Sequence, residues 1–347
     1  MTTQSVIRTV LGDVPADTVG HIQPHEHVLC DLSRPLPPDA TPEQRAWDTA
    51  PITLRNYYEV RREHTSEDLR LDDVSIAIAE LTEYREAGGS AVVDATSIGL
   101  HRDPQGLAAV SQGSGVHIVM GCGYYYREYH EPDFLDGRSR EQLAADMVGD
   151  IMNGAGGTSI RAGVIGEIGL SWPHHPVELR VLEAAVDAQL TTGAGLLIHP
   201  ARHEHSPLSA VKVVRAAGGD VSRTIISHVE RTLFDRDQFR ALADTGCYVE
   251  FDLFGQESSY YSLAPIDMPN DAMRVDYIID LVERGHLAQI LISQDICHKT
   301  NLHTYGGEGY VHILRRIIPL MLRKGLTEEQ VYTITVANPR RALAMKV

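Results

Sequence analysis

Residues 162–200 read AGVIGEIGLSWPHHPVELRVLEAAVDAQLTTGAGLLIHP. Two short apolar runs, Ala162–Gly169 and Gly195–Pro200, flank a stretch of helical period. In that stretch Leu179, Leu182, Val186 and Leu190 form one stripe, opened by Pro176 and closed by Gly193. Proline at the first helical position and glycine just past the last are the ordinary punctuation of a helix. The flanking runs are apolar on consecutive positions, as strands buried on both faces are, which favours a parallel sheet. The stretch is a strand–helix–strand unit.

Working outward, the pattern repeats. Further strand-like runs are Val19–Ile22, Ala91–Ser97, Val116–Tyr125, Thr224–His228, Tyr248–Phe254 and Gln289–Asp295. Helical stretches cover about Asp72–Ala87, Arg140–Met152, Leu208–Ala217, Arg236–Ala243, Asp276–Glu283 and Val311–Arg323. A last one runs from Glu328 to the C-terminus, entered through a capping box in which Thr327 precedes Gln330. Eight strands alternating with about eight helices predict an α/β chain folded as one (β/α)8 TIM barrel over residues 1–347. The rival is a doubly wound open sheet, whose glycine-rich phosphate fingerprints, GxGxxG and GxxxxGK[ST], are missing. Ser5–Val14 reads as a short N-terminal hairpin, and residues 32–71 as a long loop or helical insertion after the first strand.

The 347 residues are 43% hydrophobic and 22% charged, which excludes a disordered or collagen-like chain. With 31 Lys and Arg against 47 Asp and Glu, the net charge of −16 disfavours nucleic acid and anionic membranes as partners. Mean hydropathy is −0.17. No apolar run approaches the roughly 18–20 residues that span a bilayer. The first eight residues lack the basic and apolar regions of a signal peptide. Cys30, Cys122, Cys247 and Cys297 form no CxxC pair, so a reducing cytoplasm is expected.

Barrel enzymes carry their chemistry at the C-terminal strand ends. Here strand one ends in His25-Glu26-His27, strand four in Glu167, strand five in His199, strand six in His228 and strand eight in Asp295. In extended chain His25 and His27 point to one side and Glu26 to the other. Imidazole and carboxylate together suit zinc first, with manganese, cobalt or nickel also accepted. Six ligands exceed one tetrahedral site and suit a binuclear centre of two ions roughly 3.5–4 Å apart, able to acidify a shared water and polarise an electrophilic oxygen.

These residues, in this order, resemble the phosphotriesterase family of the amidohydrolase superfamily, in its phosphotriesterase-related branch. The resemblance is carried also by residues 163–169 (GVIGEIG), Ser171-Trp172-Pro173, Ile198-His199-Pro200, residues 248–255 (YVEFDLFG) and residues 305–310 (YGGEGY). It implies that His25, His27 and Asp295 hold the more buried ion, and His199 and His228 the more exposed one. Asp295 would take the proton of the attacking hydroxide, and a strand-four carboxylate would bridge the ions. The best-known members bridge with a carboxylated lysine, but this chain has no lysine before Lys212, which leaves Glu167 as the bridge. A site bridged by Glu167 needs no carbon dioxide to assemble. Organophosphate-hydrolysing members also carry an Asp–His proton relay, where this chain has Arg231 and Leu253, with Glu230 as a partial substitute. Phosphotriesters are therefore third choice. The resemblance implies amide hydrolysis of small N-acyl amino acids or N-acyltaurines first and lactone hydrolysis, including phosphorylated sugar lactones, second. A non-catalytic alternative is binding of a small molecule such as a plant diterpene. A homodimer is also implied.

Arg202, Arg231 and Lys299 lie just past strands five, six and eight, which suggests an anionic group on the substrate. Glu230 and Glu250 are near enough in sequence to neutralise Arg231. Of the tyrosines after strand three, Tyr124 and Tyr126 are the candidates for lining the pocket or donating to the scissile carbonyl. Cys122 and Cys297 read as small core residues rather than nucleophiles. Segments 32–71 and 255–275 are expected to cover the mouth.

Overall fold

The computed structural model describes residues 5–257, 261, 264 and 266–346. Its parallel sheet follows chain order: β1 (His21–Glu26), β2 (Gly89–Asp94), β3 (His117–Cys122), β4 (Val164–Gly169), β5 (Gly195–His199), β6 (Thr224–Ile226), β7 (Tyr248–Phe251) and β8 (Ile290–Ile292). Parallel ladders join each neighbour from β1 to β8. The ring closes between β8 and β1 without a ladder. His27 N–H donates to the Ile296 carbonyl (2.9 Å) and Asp295 N–H to the His25 carbonyl (3.1 Å). Glu26, which points away from the imidazoles beside it, accepts from Ser293 Oγ (2.7 Å), Gln294 N (2.9 Å) and Ile296 N (2.9 Å). This one buried carboxyl fixes the exit of β8 against β1, with Asp295 between its anchors.

The predicted barrel is thus observed, with shifted boundaries. β6 and β8 stop short of the runs expected because His228 (φ 52°) and Asp295 (φ 49°) leave the strand conformation for the left-handed region. Non-glycine residues held there store strain, a feature that clusters at functional sites. β1 extends past Ile22 because Gln23, His25 and Glu26, polar by sequence, are all buried and hydrogen-bonded to neighbouring elements.

One helix has no counterpart in the sequence reading. Pro104–Ser114 carries two glycines and two serines, weak helix formers that mask its period. Asp103 caps its start, accepting from Gly106 N at 2.9 Å. At Gly113 a Cβ would lie 2.6 Å from Ile78, so the missing side chain admits the neighbouring helix Val74–Glu86. The helix expected over Asp276–Glu283 begins earlier, at Asp271, where Asn270 accepts from Met273 N. Thr327 and Gln330 form the expected capping box. The C-terminal helix ends at Leu343 rather than at the terminus, and Met345–Lys346 then pairs antiparallel with β-residues Ser5 and Val6 of the N-terminal hairpin. Ile7 from that hairpin joins Ile22, Val93, Val119, Val164, Leu197, Ile225 and Leu291, and together they fill the barrel interior. A larger apolar layer packs between strands and helices.

The insertion after β1 carries helices Pro42–Asp48 and Tyr57–Glu63, and is pinned at its base by the pairing of Cys30–Asp31 with Arg70–Leu71. Of the other expected cover, 255–275, positions 258–260, 262, 263 and 265 lie outside the described residues, as do residues 1–4 of the N-terminus and residue 347. No described helix is long and apolar enough to cross a membrane.

At the start of β1, His21 Nδ1 lies 2.8 Å from Tyr84 Oη, and burial pushes its pKa down to about 3. The unfolded chain therefore takes up this proton first, and stability falls as pH drops below about 6.5. Between pH 7 and pH 5, His21→Gln should lose about 2 kcal/mol less stability than the parent in urea titrations.

Candidate metal centre

The strand ends bring the six predicted ligands into one cluster. His25, His27, Glu167, His199 and His228 are buried. Asp295 is 15% exposed and opens to the mouth. Glu167 is central. Its Oε1 lies 3.3 Å from His27 Nε2, while Oε2 lies 2.6 Å from His199 Nδ1 and 3.5 Å from both His25 Nε2 and His228 Nε2. Asp295 Oδ1 is 3.3 Å from His27 Nε2 and 3.7 Å from His25 Nε2. A carboxylate turned toward imidazoles on both sides has the arrangement of a bridge.

The donors suit divalent metal. His25 Nε2 is buried and has no hydrogen-bond partner among the described residues. A nitrogen in that state is costly unless something else occupies its lone pair. Donor atoms of His25, His27 and Asp295 lie within 4.8 Å of one another, as do those of His25, Glu167 and His228. Charge points the same way. Burial opposes a charged His27, but Asp295 and Glu167 outweigh it and push the imidazole up to about 10. Burial would raise Glu167, yet His199, His228 and His25 hold its carboxyl well below the usual range. The carboxylates thus call for positive charge at this spot, which either protons or metal ions satisfy.

A second layer fixes the imidazoles, and sequence reasoning missed most of it. His27 Nδ1 is held by Thr96 Oγ1 at 2.9 Å, and His228 Nδ1 by Asp252 Oδ1 at 2.9 Å. His25 Nδ1 faces Ser227 Oγ (3.1 Å), Glu250 Oε2 (3.2 Å) and Asp252 Oδ2 (3.2 Å). With Nδ1 engaged, Nε2 of each ring is left to point into the cluster. The signal was present as acids at positions 250 and 252, whose spacing of two puts them on one side of extended chain at the end of β7.

The residues expected to bind substrate divide. Arg202 and Arg231 line a cavity of about 800 Å³ with His27, Glu167, His199 and Asp295. Arg202 Nε donates to Tyr261 Oη at 3.0 Å. Arg231 Nη2 lies 2.8 Å from His199 Nε2, and Nη1 is buried without a hydrogen-bond partner among the described residues. Neither suggested acid neutralises Arg231. Glu230 Oε1 accepts from Leu253 N (2.8 Å) and faces Arg274 (3.3 Å), and Glu230 is not among the described residues that line the cavity. Glu250 is committed to His25 and Ser227. Tyr126 packs its ring on His199 with centroids 5.0 Å apart. Tyr124 corrects the reading: its hydroxyl donates to Asp146 at 2.8 Å, toward the outer helix Arg140–Met152. Its neighbour Tyr125 turns inward instead, its hydroxyl 3.4 Å from His199 Nδ1 and its ring on the cavity wall with Tyr129. Lys299 is a second correction, because its ammonium is bound to Glu67 of the insertion at 2.6 Å. Cys297 reaches the cavity, and burial pushes its thiol well above the usual range, which disfavours the reactive thiolate. Burial raises Cys122 likewise.

Four imidazoles and two carboxylates gathered at the mouth of a barrel, four of the six facing one cavity, suit the class of metal-dependent hydrolases. A family model described as the phosphotriesterase family matches residues 5–343. A Bos taurus protein named N-acetyltaurine hydrolase is 40% identical over 98% of this chain and 98% of its own. The Nematostella vectensis "Phosphotriesterase-related protein" is 39% identical over 99% of this chain and all of its own. A solved structure described as a resiniferatoxin-binding protein from Rhodobacter sphaeroides superposes with a TM-score of 0.91 at 32% identity, covering 97% of this chain and 94% of that one. The chain belongs to the phosphotriesterase family.

Asp252→Asn should weaken divalent-metal affinity about 10–100-fold in a chelator competition, through loss of orientation of His25 and His228. Metal content reached in bicarbonate-free buffer should equal that reached with bicarbonate, measured by elemental analysis, because Glu167 needs no carboxylation.

Proposed function

We propose that this hydrolase cleaves small anionic amides, of the N-acyl amino acid or N-acyltaurine type. The observation that carries this reading is a single cavity that joins the ligand cluster to Arg202 and Arg231, neither of which has a carboxylate partner among the described residues. In a chain of net charge −16, cations left free at a site select for an anion. The relatives named N-acetyltaurine hydrolase support it.

His25, His27 and Asp295 would hold one divalent ion and His199 and His228 the other, with Glu167 between them. Zinc is the first choice from the ligand set. Such a pair supplies Lewis acidity, which acidifies water and polarises the amide carbonyl. The chain's own residues do the rest. Arg202 and Arg231 seat the anion and so place the scissile carbonyl over the cluster. As water adds to the carbonyl carbon, Asp295 takes its proton at a carboxylate oxygen. The C–N bond breaks, Asp295 returns the proton to the departing nitrogen, and an acid and an amine leave. Four buried, unpaired cysteines support a reducing compartment such as the cytoplasm.

Hydrolysis of an uncharged lactone would use the same cluster but has no need of the free guanidinium groups. With N-acetyltaurine as substrate, Asp295→Asn should lower kcat at least about 10³-fold. Arg231→Met should raise KM about tenfold or more with a smaller change in kcat. Lactones turned over faster than every anionic amide would overturn the amidase reading. Unchanged ligand affinity in Asp295→Asn, with no turnover of any substrate by the parent, would favour a binding protein.

A further inference from the structure

The cavity holds about 800 Å³. N-acetyltaurine has only about ten non-hydrogen atoms, whereas drug-sized ligands fill pockets of roughly 300–1,000 Å³. Space remains beyond the anion and the scissile amide. The insertion walls that space. In a ring ordered β1 to β8, the segment leaving β1 stands across the mouth from β5 and β6, which carry Arg202 and Arg231.

Of the three arginines on that opposite wall, Arg34 pairs with Glu128 and Arg62 is exposed, which leaves Arg61. Arg61, in helix Tyr57–Glu63, is half-buried and lines the cavity. Its guanidinium donates to the Gly255 carbonyl at 3.2 Å, and no carboxylate among the described residues pairs with it. The acids that share the wall have other donors. Asp48 accepts from Ser66 N (2.9 Å), Glu63 from the Trp47 indole (2.7 Å) and Glu257 from Asp271 N (2.7 Å). Next to Gly255, the Gln256 side chain donates to the Asp295 carbonyl at 3.0 Å, which ties Arg61 to the loop that carries the proton acceptor.

We propose that Arg61 is a second anion-binding residue, which reads a carboxylate on the acyl side of the scissile bond. The preferred substrate is then an amide with an anionic group on each side of its C–N bond. This rests on the amidase reading above.

The test compares N-succinyltaurine with N-(4-methylpentanoyl)taurine, acyl groups of equal size that differ in terminal charge, with N-acetyltaurine alongside. Values of kcat/KM are measured on the metal-loaded enzyme, and Kd by calorimetry on both the parent and Asp295→Asn. The succinyl compound should be favoured about tenfold or more in both readouts. The ratio should fall to about one in Arg61→Met and be partly kept in Arg61→Lys. A parent ratio near one, or reversed, overturns the proposal and assigns the wall to an apolar acyl chain beside Leu36 and Leu69. The parent ratio decides even if Arg61→Met fails to fold. Tight binding of the succinyl compound without turnover of any amide would sink the amidase reading and leave Arg61 in place. Turnover of N-acetyltaurine without the charge preference would do the reverse, and neither turnover nor binding would overturn both.

Discussion

A carboxylate buried among imidazoles is the interaction on which the mouth of this barrel depends. Glu167 is 1% exposed and touches rings from β1, β5 and the turn after β6. A charge that far from water persists only if its neighbours are held in place to meet it. Each neighbour is held. Asp252 orients His228 and His25, Thr96 orients His27, and Glu26 ties the exit of β8 to β1 so that Asp295 reaches the cluster from the other side. Asp94 accepts from Val28 N and Leu29 N just past His27, which fixes where the insertion leaves the barrel. Backbone strain at His228 and Asp295 is tolerated because hydrogen bonds of this kind over-determine their positions.

The insertion is bound to that frame by its polar groups. Asp68, fully buried, accepts from Thr300 N at 2.8 Å, its carbonyl accepts from Lys299 N, and Glu67 takes the Lys299 ammonium. The Tyr57 hydroxyl donates to the Thr300 carbonyl at 2.8 Å. His64 and His298 stack with ring centroids 4.2 Å apart. The wall that faces Arg202 and Arg231 is therefore docked on the loop after β8. Lys299, which in sequence looks like a substrate-binding cation, serves this docking. The His and carboxylate cluster and this cavity wall share one support, since Asp295 lies on the same loop.

Much of this was legible in the chain. Consecutive apolar runs separated by helical stripes gave the strand order, and residue types at the run ends gave the six side chains that cluster at the mouth. Those signals are local: a strand alternates every two residues, and a barrel sends all its strand ends to one mouth. What escaped was set by partners distant in sequence. Helix Pro104–Ser114 forms despite its glycines because Ile78 packs where a side chain would be. Tyr124 and Tyr125 are neighbours of one type, and only the path of the chain after β3 decides which hydroxyl meets Asp146 and which meets His199.

The sequence by itself determined the barrel, its family and the identity of the cluster, because periodicity and the choice of histidine and carboxylate at strand ends are written residue by residue. The tertiary structure decided which charges remain free. Among the described residues Arg231, Arg202 and Arg61 meet no carboxylate, while Glu230, Glu250 and Lys299 face Arg274, His25 and Glu67. Ion pairing depends on distances of a few ångströms between residues far apart in the chain, 232 positions in the case of Lys299 and Glu67. No local pattern encodes such a distance.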